Sequence, residues 1–267
     1  HKRVIPGMVM PMGFHSDERN PKVWKTMTTQ MPPAAAGSFP PAVMPEEILS
    51  DHPKRLRAVL VSACNPLRAY PDTKAYEKAF QHLDLLVVND IVMTETACLA
   101  DYVLPCRSFY ESWDTTFFPM TYPEIFCQLR RPIVSPPDLC LEASQIHTLL
   151  ADRLGLIPDI PESLYTAAKE DRMAYGGKLM TWAMEDPRAF KAMPFILAKT
   201  LGKEWDSAAK AALWGMLMTA PQPFKENAAR AGFEPDLTQG DKIFQKLLDT
   251  PQGLWVGKAD TDNPMAS

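Results

Sequence analysis

Between residues 57 and 104, short β-branched apolar runs alternate with a helical periodicity. Arg57 to Ala63 (RAVLVSA) is an apolar run of strand length and predicts a strand buried on both faces. Pro66 and Pro71 punctuate the loop that follows. From Asp72 to Leu83, the residues Ala75, Ala79, Phe80 and Leu83 recur at the spacing of one helix face, and Pro71 suits the first turn. Leu85 to Val88 (LLVV) predicts a second buried strand ending in Asn89 and Asp90. Thr94 to Leu99 predicts a short helix, and Tyr102 to Leu104 a third short strand stopped by Pro105. Strand, helix, strand, short helix, strand is the order of a parallel sheet with right-handed crossovers.

The flanks are less regular. Residues 1–50 are rich in Pro, Met and Gly, and Met31 to Pro45 reads as an extended loop. This segment is expected to wrap over a neighbouring surface, with a partly disordered tail as the alternative. Arg130 to Pro137 (RRPIVSPP) reads as an extended linker. Asp138 can cap a helix running to about Leu154, which Gly155 ends. Residues 156–235 read as helical and irregular, with helices at Pro187 to Lys199 and Glu204 to Met218. Their Met180, Trp182, Met184, Met193, Trp205, Trp214, Met216 and Met218 are expected to pack a core rather than line a substrate channel. Lys242 to Val256 reads as one more helix followed by a Gly/Trp turn. The fold expected is α/β: an open parallel-sheet, Rossmann-like domain over residues 51–155, after an extended segment (1–50) and before a mainly helical, irregular extension (156–267).

Composition narrows the function classes. Hydrophobic residues make up 46% and charged residues 22%, enough for a real core, and 26 prolines in 267 residues imply long non-repetitive connections. A net charge of −4 offers no basic stripe for nucleic acid. The five cysteines (Cys64, Cys98, Cys106, Cys127, Cys140) form no C-x-x-C pair, which argues against a zinc or iron–sulfur site or a disulfide framework in this chain. No apolar stretch approaches the roughly 18 residues of a membrane span. The start at His1, without an initiator methionine or a signal core, suits a processed or excised piece.

Ligands of open parallel sheets sit at the carboxyl ends of strands. Two such ends are Ser62-Ala63-Cys64-Asn65-Pro66 and Asn89-Asp90, with Asn65 and Asp90 25 positions apart. That is close to the separation of a phosphate-binding turn and a ribose-binding acid in dinucleotide sites. A carboxylate can accept from both ribose hydroxyls, an Asn amide offers a donor and an acceptor, and Thr94 begins a short helix whose amides favour anions. No G-x-G-x-x-G is present, so the bland alternative stays open: Asn65 closes a turn and Asp90 caps the short helix. Lys54, Arg55 and Arg57 read as solvated or as a phosphate contact, and Arg130 and Arg131 as facing a cofactor or a carboxylate. His52, His82 and His147 read as surface or capping residues, and no Ser/His/Asp arrangement is found.

The run RAVLVSACNPLRAYPD, then LDLLVVNDIVMTETACLADYVLPCRSFYESWD, then RRPIVSPP, resembles the third domain of the molybdopterin oxidoreductase family. That family includes formate dehydrogenases, periplasmic nitrate reductases, polysulfide and thiosulfate reductases and dimethyl-sulfoxide reductase. The likeness is strongest over residues 46–154. Its most specific part is Asp90 to Glu111, D-x-x-x-T-E-T-A-x-x-A-D-Y-V-L-P with a glutamate six residues on. Pro45 to Leu49 resembles the lead-in to the first strand, and Phe244 to Gly257 the stretch before the family's last domain.

The resemblance implies a bis-molybdopterin guanine dinucleotide cofactor holding molybdenum or tungsten, with residues 51–155 binding one dinucleotide. It implies that Asn65 lies near the cofactor, that Asn89 and Asp90 hold the guanosine, and that Thr94 and Ser112 are further cofactor contacts. Neither a catalytic residue nor a metal ligand is expected in this chain, since the family's metal ligand lies in a preceding segment. Cys64 is therefore read as sitting beside the nucleotide or in the core. An iron–sulfur cluster is expected only in an N-terminal part not included here, and a barrel-like domain beyond the C-terminal end. The implied partners are the remainder of the same enzyme and an iron–sulfur electron-transfer subunit. The implied activity is an oxidoreductase of anaerobic respiration, inactive as this piece alone. Two other readings stay open: a stand-alone nucleotide-binding or assembly subunit, and part of a non-redox hydratase using the same cofactor.

Overall fold

The computed structural model describes residues 26, 28, 40–115, 124–220 and 222–258, so most of the segment expected to wrap a neighbour lies outside the described residues. The chain divides into two compact units. One holds the described residues of Met12–Cys106 with Leu139–Ala143, and the other those of Arg107–Asp138 with Ser144–Ser267.

The first unit is built on α1 (Met44–Leu49), β1 (Ala58–Ser62), α2 (Pro66–Ala69), α3 (Thr73–Gln81), β2 (Leu85–Asp90) and β3 (Tyr102–Pro105). The extended reading of Met31 to Pro45 does not hold at its end. A 3₁₀ turn at Pro41–Val43 leads directly into α1, whose Pro45 sits in the first turn, where proline is tolerated. The three strands form one parallel sheet in the order β1-β2-β3. The register sets Val59 opposite Leu86, Val61 opposite Val88 and Ser62 opposite Asn89.

Alternation along the strands decides which face is covered. Val59, Val61, Leu86 and Val88 share one face and pack with Ile48 of α1 and with Tyr76, Ala79 and Phe80 of α3. Leu60 lies on the opposite face at 45% exposure, and Leu85 is exposed beside it. The expected burial of β1 on both faces is thus corrected: this unit's helices cover one face only. The helix read from Asp72 to Leu83 is shorter and begins after Asp72, which takes φ 62 and caps Ala75 N at 3.0 Å.

The helix expected from Thr94 to Leu99 reduces to a 3₁₀ turn at Ala97–Leu99. It is short because Asp101 doubles back, giving its N–H to Leu86 O at 2.9 Å and accepting Leu86 N–H on Oδ2 at 2.7 Å. Asp138 does not start the next helix. Leu139 takes φ 68, Leu141 pairs in parallel with Cys106 just past β3, and the helix begins only at Ala143.

The second unit contains β4 (Asp114–Thr115), β5 (Glu124–Cys127) and β6 (Leu129–Arg130). After them come α4 (Ala143–Arg153), α5 (Glu162–Glu170), α6 (Arg172–Glu185), α7 (Pro187–Lys191), α8 (Met193–Lys199), α9 (Leu201–Glu204), α10 (Ala208–Met218), α11 (Gln222–Arg230), α12 (Gln239–Asp249) and β7 (Leu254–Lys258). Gly155, at φ 68, closes α4 as expected. The single helix read over Pro187 to Lys199 is two, because Pro194 in the first turn of α8 has no N–H to continue α7. Likewise Asp206 at φ 49 and the Ser207 cap separate α9 from α10. Trp255 lies in a strand rather than a turn, since β7 pairs antiparallel with β5 after Gly253 at φ 92. Among the described residues no helix is long and apolar enough to cross a membrane.

The Trp and Met side chains divide as packing demands. Trp214 is buried, Trp205 stacks on Phe244 at 5.2 Å, and Trp182, Met193 and Met218 pack against the same core. Met180 and Met184 are exposed. Inside this core Asp241 of α12 accepts from Arg172 Nε of α6 at 2.5 Å, from Arg172 Nη2 at 3.0 Å and from Trp214 Nε1 of α10 at 2.9 Å, joining three helices. Burial raises the Asp241 pKa, but the Arg172 and Trp214 hydrogen bonds outweigh it and hold the carboxyl below its ordinary value.

Removing this carboxylate strands a guanidinium and an indole N–H. Asp241→Ala should therefore lower the unfolding free energy by about 2–3 kcal/mol at neutral pH. Because the folded pKa is depressed, the contribution is full above the unfolded aspartate value of about 4 and fades as pH falls through the folded value. Urea unfolding at pH 7 and in acid checks this; equal midpoints for the two proteins at pH 7 would count against it.

Candidate functional site

The polar residues of interest lie at the carboxyl ends of β1 and β2. Ala63, directly after β1, takes φ 50, and its N–H donates to Asn89 O at 2.9 Å, so the chain leaves the sheet sharply while still tied to β2. Asn65 follows at the N-cap position of α2. Its carbonyl accepts from Arg68 N and Ala69 N at 2.9 and 2.8 Å, which closes the turn. Its side chain does something else. Oδ1 accepts from Thr96 Oγ1 at 2.7 Å and Thr96 N at 3.4 Å, while Nδ2 donates to Glu95 Oε2 at 2.7 Å. Asn65 thus braces the segment after β2 against the tip of β1.

Thr96 is fully buried, and its hydroxyl also accepts from Leu67 N at 3.3 Å. Glu95 is gripped through both oxygens, because Arg68 Nε donates to Oε1 at 2.6 Å. The Asn65 hydrogen bond foremost, then Glu95's own backbone N–H and Arg68, hold the Glu95 carboxyl at about 2.

Asn89 is completely buried, with Nδ2 donating to Ser62 Oγ at 3.3 Å across the strand tips. Its Oδ1 is buried and has no hydrogen-bond partner. Such an orphaned acceptor costs roughly 1–3 kcal/mol, and native proteins keep few of them. Asp90 is half-buried and accepts from Ile91 N on Oδ1 at 2.7 Å, and its backbone O accepts from Cys106 N at 3.2 Å. Burial pushes the Cys106 thiol up, and the charge of Asp90 adds to it.

Asp90 does not cap the short turn. The N-cap position is Thr96, and the first N–H of the turn, Ala97 N, is taken by Thr94 Oγ1 at 3.2 Å. The expectation that the Thr94 turn offers amides to an anion also fails: Thr94 N, Thr96 N, Ala97 N and Cys98 N are all given to Val92 O, Asn65 Oδ1, Thr94 Oγ1 and Thr94 O.

Asn65, Asn89, Asp90 and Thr94 therefore gather at one end of one sheet. Ser112 belongs to the other unit, where its Oγ donates to Ser108 O at 3.0 Å. Sequence reasoning missed Ser62, Arg68, Glu95 and Thr96. Glu95 and Thr96 stand inside the T-E-T-A motif, but only the fold reveals that both reach back to Asn65. Cys64 packs against the core and donates to Tyr70 Oη at 3.7 Å. Arg55 and Arg57 sit at the amino end of β1 and pair with Asp84. Arg130 pairs with Asp114 at 2.9 Å and lies over Phe109, and Arg131 donates to Leu248 O. His52 and His82 are exposed, and His82 is the C-cap of α3. The second unit holds a separate cleft of about 370 Å³ lined by Arg107, Glu111, Trp113, Ile133, Ser135 and Asp206. No group of three His, Cys, Asp or Glu side chains among the described residues could hold a metal ion.

The chain is similar to several known proteins. The family model described as molybdopterin oxidoreductase matches residues 8–153. The chain is 42% identical over 109 residues to the F420-dependent formate dehydrogenase subunit alpha of Methanocaldococcus jannaschii, covering 41% of this chain and 16% of that protein. It is 28% identical over 150 residues to the trimethylamine-N-oxide reductase of Haemophilus influenzae, covering 51% of this chain and 18% of that one. Among solved structures, acetylene hydratase from Pelobacter acetylenicus matches at 28% identity and a TM-score of 0.40, over 44% of this chain and 16% of that chain. The chain spans about a sixth of the length of the first two curated relatives it matches.

The Glu95 clamp makes a titration prediction. Followed by carboxyl NMR, Glu95 should titrate near 2, and Arg68→Met or Asn65→Ala should each move its midpoint up toward the ordinary glutamate value of about 4.3. The clamp's contribution to stability is then present above that ordinary value and lost as pH falls toward the folded one. A wild-type midpoint already at the ordinary value would contradict the geometry.

Proposed function

The chain belongs to the molybdopterin oxidoreductase family, and from that premise we propose that its α/β unit, built on the parallel sheet β1-β2-β3, holds the guanosine end of one molybdopterin guanine dinucleotide in a molybdenum or tungsten oxidoreductase. The observation that carries this reading is the buried, partnerless Oδ1 of Asn89 at the carboxyl end of β2, directly before the half-buried carboxylate of Asp90. The acceptor set fits a guanosine. Guanine and ribose present N–H and O–H donors, and Asn89 and Asp90 present acceptors. Asp90 takes the ribose hydroxyls, as acids at this place in dinucleotide-binding sheets do. Asn89 Oδ1 accepts one further donor, and its amide is oriented by Ser62. Asn65 keeps the two strand tips at fixed spacing through Thr96, and Thr94 shapes the intervening turn. Ser112 is carried as a further contact on the resemblance alone.

When bound, the cofactor supplies the dithiolene ligands of the metal and its two-electron redox chemistry. The chain's own part is binding, orientation and electrostatics. The metal ligand, the iron–sulfur cluster and the substrate site belong to other parts of the enzyme. The naming of relatives as alpha subunits of formate dehydrogenases supports an oxidoreductase working with partner subunits.

In the complete enzyme, Asp90→Ala should lower the molybdenum or tungsten content per chain severalfold, while the loaded fraction keeps the wild-type metal spectrum. Elemental analysis with electron paramagnetic resonance checks this. Normal loading, or a changed metal spectrum at normal loading, would count against a guanosine-holding role.

A further inference from the structure

Two cysteines that stand 34 positions apart in the sequence meet just past the edge strand β3. Cys106 directly follows β3, is 8% exposed, and gives its N–H to Asp90 O at 3.2 Å. The short strap Leu139–Ala143 belongs to the same unit. Leu141 of the strap pairs in parallel with Cys106, and Cys140 is the residue before it. Paired backbones lie about 4.8 Å apart and advance about 3.3 Å per residue, which puts the Cys140 Cα about 6 Å from that of Cys106. Disulfides join Cα atoms separated by about 4.4–6.8 Å. Cys140 lies outside any strand and follows Leu139 at φ 68, so strand alternation does not turn its side chain away from Cys106. Burial first, then the charges of Asp90 and Cys140, push the Cys106 thiol up, so the two sulfurs sense each other. The turn itself is strained, since leucine disfavours the left-handed region. Leu139 is 90% exposed, so burial of its own side chain does not account for that strain. What the turn accomplishes is to bring Cys140 alongside Cys106.

We propose that Cys106 and Cys140 are a redox pair, which an oxidising low-molecular-weight disulfide converts into an intramolecular disulfide that staples the strap to the end of β3. Both are thiols in this structure, and they are unequal: Cys106 is buried and Cys140 is half-buried. That inequality orders the steps. The Cys140 thiolate attacks one sulfur of the small disulfide, and the other half leaves as a thiolate. The Cys106 thiolate then attacks Cys140 Sγ of the mixed disulfide and expels the second half. The two protein thiols give up two electrons and two protons, and the small disulfide takes them up as two thiols. Burial keeps Cys106 protonated and shielded, so it resolves the mixed disulfide rather than starting the exchange. The staple closes beside Asp90 through backbone already tied to it, and it does not depend on what the strand ends bind.

The test incubates the 267-residue chain with oxidised glutathione at mildly alkaline pH, alkylates the remaining thiols and maps linked peptides by mass spectrometry. The Cys106–Cys140 peptide should exceed every other linked pair of cysteines about tenfold, because fixed neighbours meet at a high effective concentration. In urea, where the strap no longer holds its place, that preference should disappear. Cys106→Ala, shown to be folded by circular dichroism, should stop at the glutathione adduct of Cys140. Four results would overturn the pair. They are a preference that survives in urea, native Cys140 that accumulates as the adduct while Cys106 stays reduced, Cys106 linked to a different cysteine, and a folded Cys106→Ala chain that forms no Cys140 adduct.

Discussion

The parallel pairing of β1 with β2 is the constraint on which the candidate site depends. It sets Ser62 opposite Asn89, so both strands end at the same level and the residues just beyond them, Asn65 and Asp90, leave the sheet from adjacent tips. Apolar packing enforces that register. Val59, Val61, Leu86 and Val88 must share one face to meet Ile48, Tyr76 and Phe80, and a slip of one residue would turn them all to the other face. The polar chemistry at the tips is therefore positioned by hydrophobic burial some residues away.

Given that frame, the tips are organised by polar groups that satisfy one another almost completely. Asn65 connects to Thr96 and Glu95, Glu95 to Arg68, Thr96 to Leu67, and Thr94 to Ala97. Against this economy Asn89 stands out: one half of its amide is used and the other is buried without a donor. A buried acceptor left without a donor at a strand tip is the arrangement expected where a ligand donor completes the network. The second unit shows the complementary use of buried polarity. There Asp241 is fully engaged by Arg172 and Trp214, and it joins helices rather than meeting a ligand.

Much of this was legible in the sequence. The β-branched runs at Arg57 to Ala63 and Leu85 to Val88, with a helix between them, gave the parallel sheet, because burial and strand length leave few other arrangements. The residues at the strand ends followed from the same pattern. Three things were not legible. The exposure of Leu60 depends on which sheet face the unit's helices cover, and an apolar run does not carry that. The late start of α4 depends on Leu141 pairing with Cys106, a contact between segments 35 positions apart. The partnership of Asn65 with Glu95 and Thr96 spans 30 and 31 positions and is created by the crossover itself. Local turn chemistry shows in a sequence, whereas a side chain that reaches across a crossover shows only once the crossover is built.

The central claim is that the paired strand tips together receive a guanosine. Titrating guanosine into the isotopically labelled chain and following backbone amide shifts tests it most directly, since weak binding still registers. The account predicts that the largest shifts fall together in two stretches, Ser62 to Asn65 and Asn89 to Thr94, with Asn89→Leu suppressing both. Shifts confined to the Trp113 cleft of the other unit, or absent at saturating guanosine, would contradict it.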